Sequence, residues 1–595
     1  MSVSSPLTSP PPPPLRGTLP LMIEREPVWR LVSFATVVAV AVVLFWCRTG
    51  AYWVPAHAGA DQNGYLVAGK HLAGQFSAGF TPADPYQFVG RMWVTGGDPA
   101  GDGVRYFPKY PLGYPLLIAL MVVLGAGTDG YGASWAHGVG PACAGLALPA
   151  IFLLARQIGG SLAGLVALLI VATSPLTLVL ANSSNAHAAS FCMTAWGAYL
   201  LVRWWQRGGA PAAAGAGALL GYAAITRYAD GLLILPALLV VLFNLRPGRG
   251  RSWGEAAWLV GCWLAPVLLQ LAVNRATLGY WTGYGPTKES DAFAWANLTQ
   301  NWDAAVRQLN NSAMFLSFPL GVLGLLLLAA RSTRLALVLA AWAVPPVLLA
   351  GAYYWRPGDE SVTGYGRFFL TALPPLAVGA AWCLTRGFQA DARPTASNRA
   401  ARWFAAPAGA ALILAGAVGQ NWGAASAAMD AEYRKGRAME VAADEILGKD
   451  RAPAGATVFA PRDMLNHLQF KGVDLRLYDA ELFTRAGVHG LSLEKPDSPG
   501  VFQYERARAL HDRLKGKTDS QLHGIARQLA GDALADGRRA FVVSPPGGAL
   551  KRAMADAAPD RSDKRRLTVK SIATWTEPAI RGVEARWELV EVVGK

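Results

Sequence analysis

The chain is predicted to be an α-helical polytopic membrane protein, with about eleven membrane-crossing helices and a soluble α/β domain at its C-terminus. Three observations lead there. Of 595 residues, 53% are hydrophobic and only 16% charged, with a mean hydropathy of +0.26, whereas soluble globular chains carry about 25% charged residues. Length does not excuse the deficit, because long soluble chains divide into domains that each need a charged surface. Apolar runs recur from residue 31 to residue 420, and a polar tail follows them. The 21 Trp, 64 Gly and 39 Pro agree, since Gly and Pro are frequent in membrane helices and Trp gathers at membrane interfaces.

The net charge of +15 would point to nucleic acid in a soluble protein. In a membrane protein it reads as cytoplasmic loop charge, and no nucleic-acid partner is expected. Cys47, Cys143, Cys192, Cys262 and Cys383 all lie in apolar runs without a CxxC pair or a His nearby at ligand spacing. Neither a disulfide framework nor a zinc site is legible in that spacing.

Residues 1–30 are rich in Ser and Pro, with prolines at 10–14, and read as a disordered tail. Arg16, Arg25 and Arg30 precede the first apolar run, 31–47, which places the tail in the cytoplasm. No cleavable signal peptide precedes that run, so it is expected to stay as an anchor. Further apolar runs lie at 112–127, 133–155, 161–181, 187–205, 211–226, 229–245, 255–273, 316–330, 334–353, 368–385 and 404–420.

The loop charges decide the threading. Arg156, the pair Arg203 and Arg207, the group Arg246, Arg249 and Arg251, the pair Arg331 and Arg334, and the group Arg386, Arg393, Arg399 and Arg402 share the cytoplasmic side only if 112–127 dips in from outside without crossing. The polytopic domain then spans 31–421, and 422–595 emerges outside the cytoplasm. That tail mixes basic and acidic residues, with β-type runs at 456–460, 539–544, 567–574 and 586–593 and a helical pattern over 504–534. It reads as a small α/β domain.

Two outer loops, 48–110 and 279–315, are too long for plain connections between packed helices. The first is rich in Tyr, Trp and Phe, which argues against disorder. It carries Asp61-Gln62-Asn63-Gly64-Tyr65 and closes on Tyr106-Phe107-Pro108-Lys109-Tyr110-Pro111-Leu112-Gly113-Tyr114.

A first span followed closely by an Asp, with a Tyr four residues on, resembles the GT-C superfamily of polytopic glycosyltransferases, which includes the protein O-mannosyltransferases and the lipid A aminoarabinose transferases. The run from Lys109 to Tyr114 is similar to the Lys, Pro and Gly-Tyr run closing the same loop there. The stretch 221–236, with Thr226-Arg227-Tyr228, resembles the broken middle helices, and Tyr365-Gly366-Arg367-Phe368 before Pro374-Pro375 resembles the late Arg-aromatic-Pro segment. The resemblance covers residues 31–420. It implies a transferase that takes sugar from a polyprenyl-phosphate carrier on the outer face of a bacterial-type inner membrane, the acceptor being a lipid, an envelope glycan or a protein.

Such a transfer needs a base for the acceptor hydroxyl on the face opposite the leaving phosphate, and one carboxylate suffices because phosphate leaves unprotonated. Asp61 is the expected base. Lys109, Arg227 and Arg367 are the expected cations for the phosphate. Tyr65, Tyr106, Tyr110 and Tyr114 are candidates to stack on sugar or acceptor, though an interfacial aromatic belt also predicts them. Arg227 is equally readable as a charge snorkelling to the interface. Gln62 stands where the mannosyltransferases carry Glu, and 174–196 holds no Asp or Glu, offering Asn182, Asn185 and His187. A carboxylate pair for a divalent metal is therefore missing, and no cofactor is assigned. His187 either orients the donor or packs as a helix-start histidine. A non-catalytic polyprenyl-lipid carrier or flippase, or a scaffold, is the competing reading; transporters, however, tend to show inverted repeats and intramembrane charge.

Overall fold

A computed structural model describes residues 28–97, 103–125, 133–244, 253–286, 293–353, 362, 364–387, 396–448, 451–492, 504–555, 567–580 and 583–594. The proline-rich stretch 1–27, the loop arginines Arg246, Arg249, Arg251 and Arg393, and positions 287–292 of the second outer loop lie outside the described residues.

Every apolar run becomes helix. Among the described residues, five helices are long and apolar enough to cross a membrane: Val32–Gly50, Ser134–Gly159, Trp253–Leu278, Thr333–Ala352 and Gly366–Thr385. A sixth arises if Ser161–Thr173 and Pro175–Ala181, bent by 59°, count as one. The bend has a local cause. Ser174 precedes a proline, which pushes it out of helical space, and its ψ is 128°. The segment expected to dip is the helix Gly113–Gly125, 13 residues long, or about 20 Å against the roughly 30 Å of a hydrocarbon core.

Burial ranks the helices by depth in the bundle. Only 17% of the spanning window is buried in Val32–Gly50 and in Trp253–Leu278, against 83% in Gly366–Thr385. The first two turn Val37, Val40, Leu44, Leu264, Leu268 and Leu269 outward, a face suited to lipid. Small residues allow close crossings: a methyl at Gly217 would overlap the Leu259 carbonyl, and one at Gly324 the Gly379 carbonyl.

The C-terminal domain grows out of the helix Ala396–Leu447, which continues without a break across the expected boundary at 421. Asn421, Ala425 and Met429 are buried at the membrane-domain end of its described side chains, while Ala438, Ala442 and Ile446 enter the core of the α/β domain. The first outer loop supplies β1 (Trp93–Val94) and β2 (Phe107–Pro108). The domain supplies β3 (Thr457–Ala460), β4 (Arg476–Asp479), β5 (Ala540–Ser544), β6 (Leu567–Ile580) and β7 (Val583–Gly594), in the sheet order β4-β3-β5-β7-β6. The first three of that order are parallel and the remainder antiparallel. Four of these strands match the β-type runs; β4, a four-residue edge strand reading Arg-Leu-Tyr-Asp, is too short and polar to announce itself. The helical pattern over 504–534 splits into Tyr504–Leu514 and Asp519–Ala535, because Gly516 has φ +77° and Thr518 caps the second helix onto the Gln521 backbone.

Loop 48–110 is folded against this domain. Asn63 donates to the Asn466 carbonyl and to the Gln469 side chain, both at 2.9 Å. Lys70 donates to the carbonyls of Gln469, Phe470 and Gly472, capping the helix Arg462–Lys471. Arg506 reaches from the domain to the Tyr106 hydroxyl at 3.0 Å and the Gln87 carbonyl at 2.7 Å. The Phe88 N–H donates to the Leu477 carbonyl at 2.7 Å, joining the loop to the edge strand β4.

Candidate functional site

Asp61 sits in the first turn of the helix Ala60–Gln75, whose start is fixed by the Gln62 side chain accepting from the Gly59 N–H at 3.0 Å. A carboxylate is favoured at that end by the unpaired N–H groups and the helix dipole. Arg367 approaches from the start of Gly366–Thr385, the most buried crossing helix among the described residues, and its Nη1 donates to Asp61 Oδ2 at 2.6 Å. Burial by itself would raise the Asp61 carboxyl; the charges of Arg367 and Lys109, with hydrogen bonds from Tyr110 and Arg367, outweigh it and hold the group below its usual range.

Lys109 follows β2, and its N–H is tied to the Met92 carbonyl at 2.8 Å. Its ammonium lies 5.0 Å and 5.3 Å from the ring centres of Tyr110 and Tyr284, within cation–π range. The two outer loops touch here, because Gly283 packs where a methyl would overlap the Lys109 carbonyl. Tyr65 stacks on Tyr110 at 4.4 Å and 16°. Burial raises both phenols well above their usual range, and the Asp61 charge adds to it.

Arg227 caps the helix Ala210–Thr226 in extended conformation, and its guanidinium lies 3.3 Å from Asp230. Asp230 is buried and also accepts from the hydroxyls of Ser190 at 2.5 Å and Thr371 at 3.1 Å. His187 opens its helix with neither ring nitrogen hydrogen-bonded among the described residues, its ring 6.3 Å from that of Phe368.

Asp61, Tyr65, Lys109, Tyr110, His187, Arg227 and Arg367 all line one cavity of about 1320 Å³. One part of its wall is apolar, with Leu232, Phe293, Pro346 and Leu349. Another part carries Glu432, Lys435 and Asp463 from the C-terminal domain side.

The model of a family described as dolichyl-phosphate-mannose-protein mannosyltransferase matches residues 109–272. The crystal structure of ArnT from Cupriavidus metallidurans bound to undecaprenyl phosphate superposes with a TM-score of 0.53 at 14% identity, over 95% of this chain and 98% of that one. Its apo state gives 0.51 at 14% identity with the same coverage. The chain has the GT-C glycosyltransferase fold. The archaeal oligosaccharyltransferase AglB from Archaeoglobus fulgidus, in complex with an inhibitory peptide and a dolichol-phosphate, gives 0.48 at 12% identity, over 87% of this chain and 70% of that one. No curated protein sequence matches the chain.

Within this GT-C fold two of the expected aromatic residues stand apart from the cavity lining. Tyr106 is buried in a β-bridge to Phe80, and its hydroxyl accepts from Arg506. Tyr114 is buried edge-on against Tyr65 at 5.3 Å. Asp230 escaped the sequence reading; an acid three residues after an arginine, in a turn between two apolar runs, was the available signal.

As for metals, Asp61 faces Arg367 and Asp230 faces Arg227, while Asn182 and Asn185, also in the lining, are amides. Away from these carboxylates, His57, His137 and His467 gather with ligand atoms within 4.8 Å of one another, the one such group of three or more among the described residues. Burial, and then the neighbouring imidazoles, hold His57 and His467 well below the usual histidine range.

Proposed function

We propose that the chain is an inverting glycosyltransferase that moves a sugar from a polyprenyl-phosphate carrier to an acceptor hydroxyl outside the cytoplasm, on a lipid, an envelope glycan or a protein. The observation that carries this reading is the convergence of Asp61, Lys109, Arg227 and Arg367 on one cavity, with Asp61 and Arg367 paired at 2.6 Å across 306 positions of sequence. Undecaprenyl phosphate is bound in the ArnT structure of like fold, which supports a polyprenyl-phosphate donor here.

In the reaction the acceptor oxygen bonds to the anomeric carbon as the bond from that carbon to the phosphate oxygen breaks. The bonding pair leaves with the phosphate, and the acceptor proton passes to the Asp61 carboxylate. Lys109, Arg227 and Arg367 stabilise the charge that grows on the leaving phosphate in a partly dry site. Arg367 links the two halves. A phosphate drawing on its guanidinium weakens the hold on Asp61, so donor binding raises the basicity of the carboxylate where a base is needed. In this reading His187, which borders the cavity and has no ring hydrogen bond among the described residues, hydrogen-bonds the donor, and the stacked Tyr65 and Tyr110 offer a sugar platform.

The apolar wall at Leu232, Phe293, Pro346 and Leu349 suits the carrier tail, and the side bearing Glu432, Lys435 and Asp463 suits the acceptor. About eleven crossings in an inner membrane, with a cytoplasmic N-terminus and an extracytoplasmic C-terminal domain, complete the reading.

The test is release of free polyprenyl phosphate from a panel of polyprenyl-phosphate sugars, using the protein in nanodiscs with crude envelope extract as acceptor. Sugar-dependent release that disappears in Asp61→Asn is expected. Release unchanged by Asp61→Asn would remove the base assignment. Lipid binding without release from any donor would favour a carrier or scaffold.

A further inference from the structure

We propose that His57, His137 and His467 form a zinc site that ties the C-terminal domain to the two membrane-domain segments beside the cavity. The three come from separate parts of the chain. His57 lies in the link leading to Asp61, His137 in the first turn of the spanning helix Ser134–Gly159, and His467 on the domain helix Arg462–Lys471. All three are at most 2% exposed.

Their geometry suits one small ion. A ligand atom of each lies within 4.8 Å of those of the other two. His57 Nδ1 and His467 Nδ1 are 3.3 Å apart, close to the edge of about 3.4 Å expected of a tetrahedron with zinc–nitrogen bonds of about 2.1 Å. His137 Nδ1 lies 2.6 Å from the Ser184 hydroxyl, which leaves Nε2 for a metal and resembles the outer hydrogen bond that orients a ligating imidazole.

Packing alone accounts poorly for the cluster. The Nε2 of His137, the atom turned to the other two rings' side of the site in this reading, is buried without a hydrogen-bond partner among the described residues, an uncommon state for a buried polar group and one that a metal would relieve. Phe470 closes one side, its ring 6.1 Å from His57 and 5.5 Å from His137. Lys471, the cation that bears on His137 and His467, is paired with Asp444 at 2.5 Å. Three neutral imidazoles are a zinc donor set that leaves a fourth position for water or an anion, and His57 itself borders the cavity. The consequence is positional: the ion fixes the segment four residues before Asp61 against the C-terminal domain.

The experiment uses the full chain without a histidine tag, in nanodiscs, stripped with chelator and then reloaded with zinc. Metal analysis after gel filtration is expected to give about one zinc per chain, and cobalt in its place the visible spectrum of a tetrahedral site. His137→Gln and His467→Gln are expected to lose both signals. Ser184→Ala, which keeps all three ligands, is expected to weaken zinc affinity about 10–100-fold. Stripping should make the C-terminal domain more accessible to protease, and zinc should reverse it, a readout independent of sugar transfer. Wild-type protein that takes up no zinc or cobalt above background overturns the proposal. So does zinc retained at wild-type affinity in a folded His467→Gln protein. If the variants do not fold, the strip-and-reload measurement on wild type decides.

Discussion

Replacing Arg367 by lysine keeps the positive charge and removes the planar fork, so it separates two things the residue does. In the structure one terminal nitrogen, Nη1, is committed to Asp61 at 2.6 Å, and the guanidinium side chain borders the cavity. A guanidinium can therefore hold the carboxylate and still offer a donor to a phosphate oxygen; an ammonium is a compact point charge that cannot serve both in one geometry. Losing one preorganised donor at the developing charge costs about 3–4 kcal/mol, or about 10²–10³ in rate. Arg367→Lys is thus expected to lower kcat/KM for donor by that factor, with little change in thermal unfolding because Asp61 keeps a cation beside it. Arg367→Gln goes further. It removes the first of the charges that hold the Asp61 carboxyl down, while burial continues to push it up. The base must be ionised, so the acid limb of the pH–rate profile moves to higher pH. A carboxyl held below its unfolded value adds stability that is fully present above the unfolded value and is lost as pH falls through the folded one; Arg367→Gln therefore also lowers the melting temperature at neutral pH. Initial rates of polyprenyl phosphate release across pH measure all of this. An Arg367→Lys rate within about threefold of wild type, against the 10²–10³ of a lost donor, would refute the fork argument. An acid limb unmoved in Arg367→Gln would refute Asp61 as the base.

Asp230→Ala strands Arg227, which is only 9% exposed, and is expected to destabilise the fold by about 3–5 kcal/mol, read as a drop in thermal unfolding temperature in detergent. Asp230→Asn, which keeps the shape and one of the two oxygens that accept from Ser190 and Thr371, should lose less stability yet still raise KM for donor if Arg227 holds phosphate. Gly324→Ala drives a methyl into the Gly379 carbonyl and should cost about 1–3 kcal/mol by overpacking, seen in the same melt. Arg506→Ala cuts the tie from the domain to Tyr106 and Gln87; faster amide exchange confined to the first outer loop and the helix Tyr504–Leu514 is the expected result, and unchanged exchange would show the docking to rest elsewhere.

How much of this was readable beforehand follows from the range of each interaction. Hydropathy is a local property, and each apolar run is a helix, including the short one at 112–127. The α/β character of the tail was legible for the same reason, except at β4, whose place is set by pairing with β3 and by the loop residue Phe88 rather than by its own residues. The candidate cations Lys109, Arg227 and Arg367 are marked by the motifs around them and not by charge beside an apolar run, because arginines flank many of those runs. Tyr106 and Tyr114 looked equivalent to Tyr65 and Tyr110 along the chain, and only the packing of the loop on the C-terminal domain separates those that line the cavity from those that hold its walls. His57 and His467 are 410 positions apart, beyond any spacing rule for metal ligands, which reads ligands held on one turn or one hairpin. The Asp61 helix is pinned by Asn63 and Lys70 to the same domain helix that carries His467. The C-terminal domain is therefore part of what fixes the position of Asp61, and a change in how it docks reaches the carboxylate directly.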